Sequence, residues 1–242
     1  NLINTKKNLI LKKKFIIQKY ITGMQLSVEC LIINKSKYLK LISTRNYDSF
    51  KFLHPNIIEN GGTFDPKINK KFNNKINILI KKIIKNTFLE KGPLKLDLIV
   101  HKNKIFLLEV AIRFGGGYVA SRISEFLTGH NFLTRYIDII NSSHNEDIDN
   151  LSFKKSVVTR SIIANNSGKL LSVKKLNFKN LSKNILFFEF NKKIGDFIQP
   201  PTSHAERVAF FAVGSRDTRK TEKIADKITN SVQLKINQNK IN

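Results

Sequence analysis

Residues 92–129 read GPLKLDLIVHKNKIFLLEVAIRFGGGYVASRISEFLTG, and they decide the fold. The leucines at 94, 96 and 98 alternate with Lys95, Asp97 and Ile99, so a period of two sends Asp97 to the face opposite the leucines. A short polar turn, His101 to Lys104, reverses the chain. The second run, Ile105 to Val110, is almost wholly apolar except for Glu109, a carboxylate that burial would make costly without a cationic partner. Pairing the two strands brings Asp97 and Glu109 together at one end of the hairpin. Two hard oxygen ligands there suit Mg²⁺ bridging nucleotide phosphates. Arg113 follows, and Gly115, Gly116 and Gly117 let the backbone approach a ligand closely. A helix then opens at Tyr118, with an apolar stripe of Ile123, Phe126 and Leu127 that stops at Gly129.

Two other readings fit the same letters. Gly115-x-Gly117-x-x-Ala120 after a strand matches a dinucleotide fingerprint. That motif needs a second parallel strand with an acidic end about twenty residues on, where this chain has Thr128-Gly129-His130 and a further apolar helix. The plainer alternative is a hairpin packed on a helix, with a surface ion pair between Glu109 and Arg113.

The chain has 242 residues, 41% of them hydrophobic, enough for a sizeable core in one large or two small domains. Its net charge of +25 points towards nucleic acid or anionic membrane. The excess is mostly Lys, accompanied by Asn and Ile, a bias that AT-rich codons produce unaided, and the lysines are dispersed rather than blocked. The eighteen Phe and five Tyr could stack on bases, but most Phe fall in apolar periodic runs that suit a core. A basic nucleic-acid-binding domain is therefore the alternative, and no specific nucleic acid is expected. Cys30 stands alone, which excludes an internal disulfide framework and fits a reducing, cytoplasmic setting. No apolar run reaches the length of a membrane span.

Residues 1–14 read as a linker or truncated element. Phe15 to Asn34 gives two β-rich runs around Thr22-Gly23, and residues 37–43 a third strand. Residues 47–60 form a loop containing His54-Pro55, and Gly61 to Pro66 is a breaker cluster across the front of the cleft. Asn74 to Lys91 is the clearest helix, with Ile76, Leu79, Ile80, Ile83, Ile84 and Phe88 on one stripe and Gly92-Pro93 at its end. A short helix over 132–140 and a polar boundary at 141–150 follow. Strands are expected at 157–163, 169–173, 185–190 and 208–213, then a helix capped by Ser215 or Asp217 and a strand over 232–236.

The hairpin and its loop resemble the ATP-grasp family, which includes biotin carboxylase, carbamoyl phosphate synthetase and many carboxylate–amine ligases. Asp97, Glu109, Ala111 and Arg113 fall on the spacing of that family's metal and phosphate motif, with Ala111 in place of an Asn. Gln18-Lys19-Tyr20-Ile21 resembles the hinge that cups adenine, with Gln18 in place of Glu, and Glu29 falls where a strand carboxylate reaches the nucleotide. His54, five positions before Glu59, resembles a loop His close to the nucleotide. The Gly195-Asp196 turn and Arg207 before an apolar strand resemble the family's C-terminal extension. The implied fold is α+β: an ATP-grasp C-terminal subdomain over 15–145, an antiparallel sheet with helices on one face, plus a small strand-rich module over 151–242.

The resemblance implies ATP and Mg²⁺, or Mn²⁺, as cofactors, with the metal on Asp97 and Glu109, Arg113 as the catalytic residue and Gly115–Gly117 as the phosphate and substrate loop. It implies a reaction through an acyl phosphate, with small-molecule carboxylate and amine substrates, and a homodimer is compatible with it. The family's lid and ATP-binding lysine precede the hinge and have no counterpart in 1–14. A partner N-terminal ATP-grasp segment is thus expected, and a fragment inactive alone. Ala111 and Gln18 also admit a degenerate, non-catalytic ATP-grasp domain.

Overall fold

The computed structural model describes residues 16–141, 153–174 and 179–237. The residues read as a linker and most of the 141–150 boundary lie outside them. The alternation read in 92–111 is a hairpin of β4 (Gly92–His101) and β5 (Lys104–Ala111), turned at Lys102 and Asn103, both with positive φ (44° and 63°). Left-handed backbone at both central residues matches the twist of the flanking strands.

β4 pairs antiparallel with β1 (Met24–Ile32), which pairs with β2 (Tyr38–Arg45). The three-residue β3 (Gly62–Phe64), inside the stretch read as a breaker cluster, joins β2 to β6 (Ser156–Ile162). β10 (Ala209–Ser215) and β8 (Ile185–Phe190) complete an eight-stranded sheet in the order β5-β4-β1-β2-β3-β6-β10-β8. The sheet therefore runs across the stretch where the sequence places a boundary. Only β7 (Gly168–Lys174), β9 (Phe197–Ile198) and β11 (Gln233–Asn237) form a separate small sheet.

The period of two sorts the side chains into cores. Leu94, Leu96 and Leu98 join Leu26, Val28, Cys30 and Ile32 on one face, where α1 (Pro66–Asn86) covers them with Phe72, Ile76, Ile80 and Ile84. α1 starts eight residues before the expected Asn74. Asp65 accepts a hydrogen bond from the Lys67 amide (2.7 Å) and Pro66 opens the first turn, a start signal present in the letters. The helix ends at Asn86, so Phe88 lies beyond it and is exposed.

On the other face, Leu31, Leu39 and Leu41 pack with Phe64, Ile123, Leu127 and Phe132. The last three come from a π-helical turn (Val119–Ile123), α2 (Ser124–Thr128) and α3 (Phe132–Asn141). The antiparallel α+β architecture is as expected, with its helices divided between the two faces. A third core unites Val158, Phe211 and Val213 with Ile224, Ala225 and Ile228 of α4 (Thr218–Ser231), capped by Asp217. Among the described residues, no helix is long and apolar enough to cross a membrane.

Two expectations need correction. The strand read over 15–21 does not form: residues 16–23 have no regular structure, and Ile16, Ile17 and Tyr20 are exposed. Both edges of β1 are taken by β2 and β4, which leaves the preceding segment no place beside it. Second, β5 is apolar in sequence but lies at the sheet edge, so Leu107, Leu108 and Val110 are each two-fifths or more exposed.

Candidate functional site

The odd-numbered residues of β1 and the polar residues of β4 face away from α1, and there they floor a cleft of about 590 Å³. Cross-strand register sets them in rows. Ser27 lies between Asp97 and Ser43, and Glu29 lies opposite Lys95. Arg45, at the end of β2, binds Glu59 (2.7 Å) and Asp97 (3.1 Å), and Lys95 binds the same Asp97 oxygen (2.7 Å). The result is a ladder of alternating charge, Glu59–Arg45–Asp97–Lys95, along the floor. Tyr47 lies under the Arg45 guanidinium (5.2 Å), and burial pushes its hydroxyl up to about 12.

Glu29 is 4% exposed and accepts a hydrogen bond from the Gly115 amide (2.8 Å). Burial pushes its carboxyl up to about 7, against the Gly115 amide and the charges of Lys95 and Arg113, while Asp97 reinforces the rise. Gly115 carries the glycine loop over this carboxylate. Gly117 (φ 71°) turns the chain beside the Phe210 ring, and Tyr118 is also left-handed (φ 60°).

The opposite wall comes from residues far along the chain. Arg207 donates from Nε to the His204 carbonyl (2.8 Å), lies over Phe210 (5.2 Å) and makes no ion pair within 4 Å among the described residues. Burial holds it below its usual range, as expected of a guanidinium without a close carboxylate. His204 Nε2 accepts from the Glu59 amide (3.0 Å), which fixes a neutral ring protonated on Nδ1. Burial and the nearby Arg207 lower its pKa. Glu189 on β8 is paired with Arg122 (2.9 Å), whose guanidinium lies over Tyr118 (4.7 Å).

The sequence-derived site is partly assembled here. Glu29, Arg113 and Gly115–Gly117 line the cleft; Asp97 does not, but it is held by two cations that do, Arg45 and Lys95. Asp97 and Glu109 are opposite one another in register, with a bulge immediately after Asp97. Glu109 is half exposed, and its contact with Arg113 is 3.9 Å long. Gln18, Lys19, Tyr20 and Ile21 do not line the cleft. They precede the Thr22 carbonyl, which contacts the His101 ring at the far end of the hairpin. His54 is exposed and also absent from the lining; the histidine that reaches the cleft is His204.

The donors do not fit a divalent ion as they stand. Ser27 hydrogen-bonds one Asp97 oxygen (3.2 Å) and the other is shared by Lys95 and Arg45, which leaves Glu109 as the available carboxylate. No group of three His, Cys, Asp or Glu able to hold a metal occurs among the described residues.

A family model described as an ATP-grasp domain matches residues 2–117, a span that ends on the glycine loop. No curated protein matches the chain by sequence. Similar solved structures include phosphoribosylglycinamide synthetase from Anaerococcus prevotii (18% identity, TM-score 0.73, covering 90% of this chain and 55% of that one). Another is L-amino acid ligase from Bacillus licheniformis (16%, TM-score 0.75, 90% and 53%). A third is biotin carboxylase from Campylobacter jejuni (12%, TM-score 0.64, 90% and 48%). The chain spans about half the length of each, and at these identities the likeness concerns the fold. The sheet order and the match over residues 2–117 agree: residues 2–117 match an ATP-grasp domain, and the chain shares the fold of these ATP-grasp structures.

Proposed function

We propose that the cleft is the phosphate and acyl half of an ATP-dependent carboxylate–amine ligase site. The observation that carries this reading is the convergence of four cationic side chains, Arg45, Lys95, Arg113 and Arg207, with the glycine loop on one cleft. Two of them are positioned by the charge ladder. Arg113 has only a long, half-exposed contact with Glu109 (3.9 Å) and Arg207 no ion pair within 4 Å among the described residues, so an anionic ligand supplies what the protein does not.

In this reading the carboxylate substrate attacks the terminal phosphorus of ATP, ADP leaves, and an amine displaces phosphate from the acyl phosphate. Arg113 has a planar fork that matches the equatorial oxygens of a phosphoryl group in transfer, and Lys95 supplies a point charge beside it. Arg207, oriented by the His204 carbonyl and the Phe210 face, receives the substrate carboxylate. In the family's chemistry Mg²⁺ or Mn²⁺ accompanies ATP; the steps proposed here use only side chains of this chain. The chain furnishes one wall of the ATP site, and a further ATP-grasp segment closes it.

Calorimetric titration of the 242-residue chain with a non-hydrolysable ATP analogue tests this. Saturable binding is expected, weakened about tenfold in Lys95→Met and in Arg113→Met, because each removes a charged hydrogen-bond donor. Equal binding by both variants would place the nucleotide elsewhere. A second reading, nucleotide binding without turnover, is favoured by the position of residues 18–21 away from the cleft and by Ala111. Binding without ATP consumption when an N-terminal ATP-grasp segment is added would select it.

A further inference from the structure

We propose that Glu29 is a positioning residue, whose buried carboxylate latches the glycine loop onto the sheet through the Gly115 amide and so fixes where Arg113 and the loop amides face the cleft. Three independent features carry this. The Gly115 N–H donates to Glu29 Oε1 at 2.8 Å, across 86 positions of sequence. A Cβ built on Gly115 would come within 2.6 Å of Glu29 Oε2 and 3.6 Å of the Lys95 side chain, so any larger residue here would have to displace the buried carboxylate. Gly116 is different: a Cβ there meets nothing within 4 Å, so within the loop the close approach to Glu29 belongs to Gly115.

The surroundings explain why a carboxylate does this from inside the sheet. Glu29 is central on β1, flanked in register by Leu41 on β2 and Lys95 on β4, and its backbone is held from both sides. The charges that face it are Lys95 on β4, Arg113 at the start of the loop and Asp97 one row along. Lys95 already serves Asp97, and Arg113 is more than half exposed. The Gly115 amide is therefore the one hydrogen bond that this buried carboxylate makes among the described residues. Leaving a buried carboxyl without its hydrogen-bond partner costs more than losing a surface pair, which makes the latch strong for a single bond. Arg113 lies two residues before Gly115 and Gly117 two after, so releasing Gly115 frees both the guanidinium and the turn beside Phe210. The latch is a property of the folded chain; its value to Arg113 in phosphoryl transfer rests on the function proposed above.

Amide hydrogen exchange in the ¹⁵N-glycine-labelled chain tests the latch without any reaction. In Glu29→Ala the Gly115 amide should exchange about tenfold faster than in the wild type, the loss expected for a hydrogen bond to a buried carboxylate. The Gly62 amide, held by the Thr159 hydroxyl at 2.8 Å, should keep its rate. Glu29→Gln retains a carbonyl oxygen at the same reach and should restore most of the protection at Gly115. Should the alanine variant fail to fold, Glu29→Asp replaces it, since a carboxylate one methylene shorter does not reach the loop. An unchanged Gly115 rate in Glu29→Ala or Glu29→Asp would overturn the proposal, and so would a glutamine variant that exchanges as fast as the alanine one. Because nucleotide is absent throughout, failure here leaves the ligase reading standing, and failure of ATP-analogue binding leaves the latch standing.

Discussion

The two strands of the central hairpin are nearly equal in apolar content and opposite in fate. β4 lies between β1 and β5, and Leu94, Leu96 and Leu98 are wholly buried under α1. β5 has one neighbour, and Leu107, Leu108 and Val110 are two-fifths to one-half exposed. The same contrast divides the two acids: Asp97 on β4 is held by two cations, while Glu109 directly opposite meets only a distant arginine. Position in the sheet, more than composition, sets what each side chain does.

The largest effect should separate the strands themselves. Leu96→Ala opens a cavity in the α1 core and should cost about 2–5 kcal/mol in denaturant unfolding, whereas Leu108→Ala should cost about 0.5 kcal/mol or less. Similar losses at both sites would mean that β5 is covered as β4 is.

Within the buried set, Glu29 gives stability a pH dependence. Its native pKa of about 7 lies above the ordinary 4.5, so the native state binds the proton more tightly than the unfolded chain. Stability is then fullest below pH 4.5 and falls as pH rises through about 7, by at most about 3 kcal/mol. Glu29→Gln should flatten that slope in pH-resolved thermal unfolding. A variant as pH-dependent as the wild type between 4.5 and 7 would show that Glu29 is not the group responsible.

The acids follow. Asp97→Asn leaves Lys95 and Arg45 short of a carboxylate and should cost about 1–3 kcal/mol, while Glu109→Gln should be near neutral. The smallest expected signal is Mg²⁺ alone: with Asp97 engaged, calorimetry should detect no binding tighter than about millimolar, because too few oxygens remain for a six-coordinate ion. Micromolar Mg²⁺ binding without nucleotide would mean that the ladder opens more readily than its ion pairs imply.

What could be read from the letters was local. Alternation placed Asp97 opposite the leucines, and turn residues marked the hairpin, because both depend on neighbours a few positions away. Asp65-Pro66 announced the start of α1 in the same local way; the apolar stripe, which begins later, hid it. The far wall could not be read so directly. Arg207 and His204 reach the cleft only because β3 joins β2 to β6, a pairing of three residues that leaves no periodic signal. His54 and His204 are equally plain histidines in sequence, and only the long-range fold brings the second to Glu59. The strand expected over 15–21 is absent from its described residues, 16–21, for a matching reason: its apolar letters suit a strand, but neither edge of β1 is open to receive one.

In the proposed function the charged cleft receives the phosphates of ATP. The most direct test is the ¹⁵N-glycine spectrum of the chain titrated with a non-hydrolysable ATP analogue, since eleven glycines give a sparse, assignable set of amides. Gly115, Gly116 and Gly117 should shift together and saturate, Gly61 and Gly62, which also line the cleft, should follow, and Gly168 and Gly195 beside the small sheet should stay fixed. Saturating shifts at Gly168 and Gly195 with a silent 115–117 loop would contradict the account.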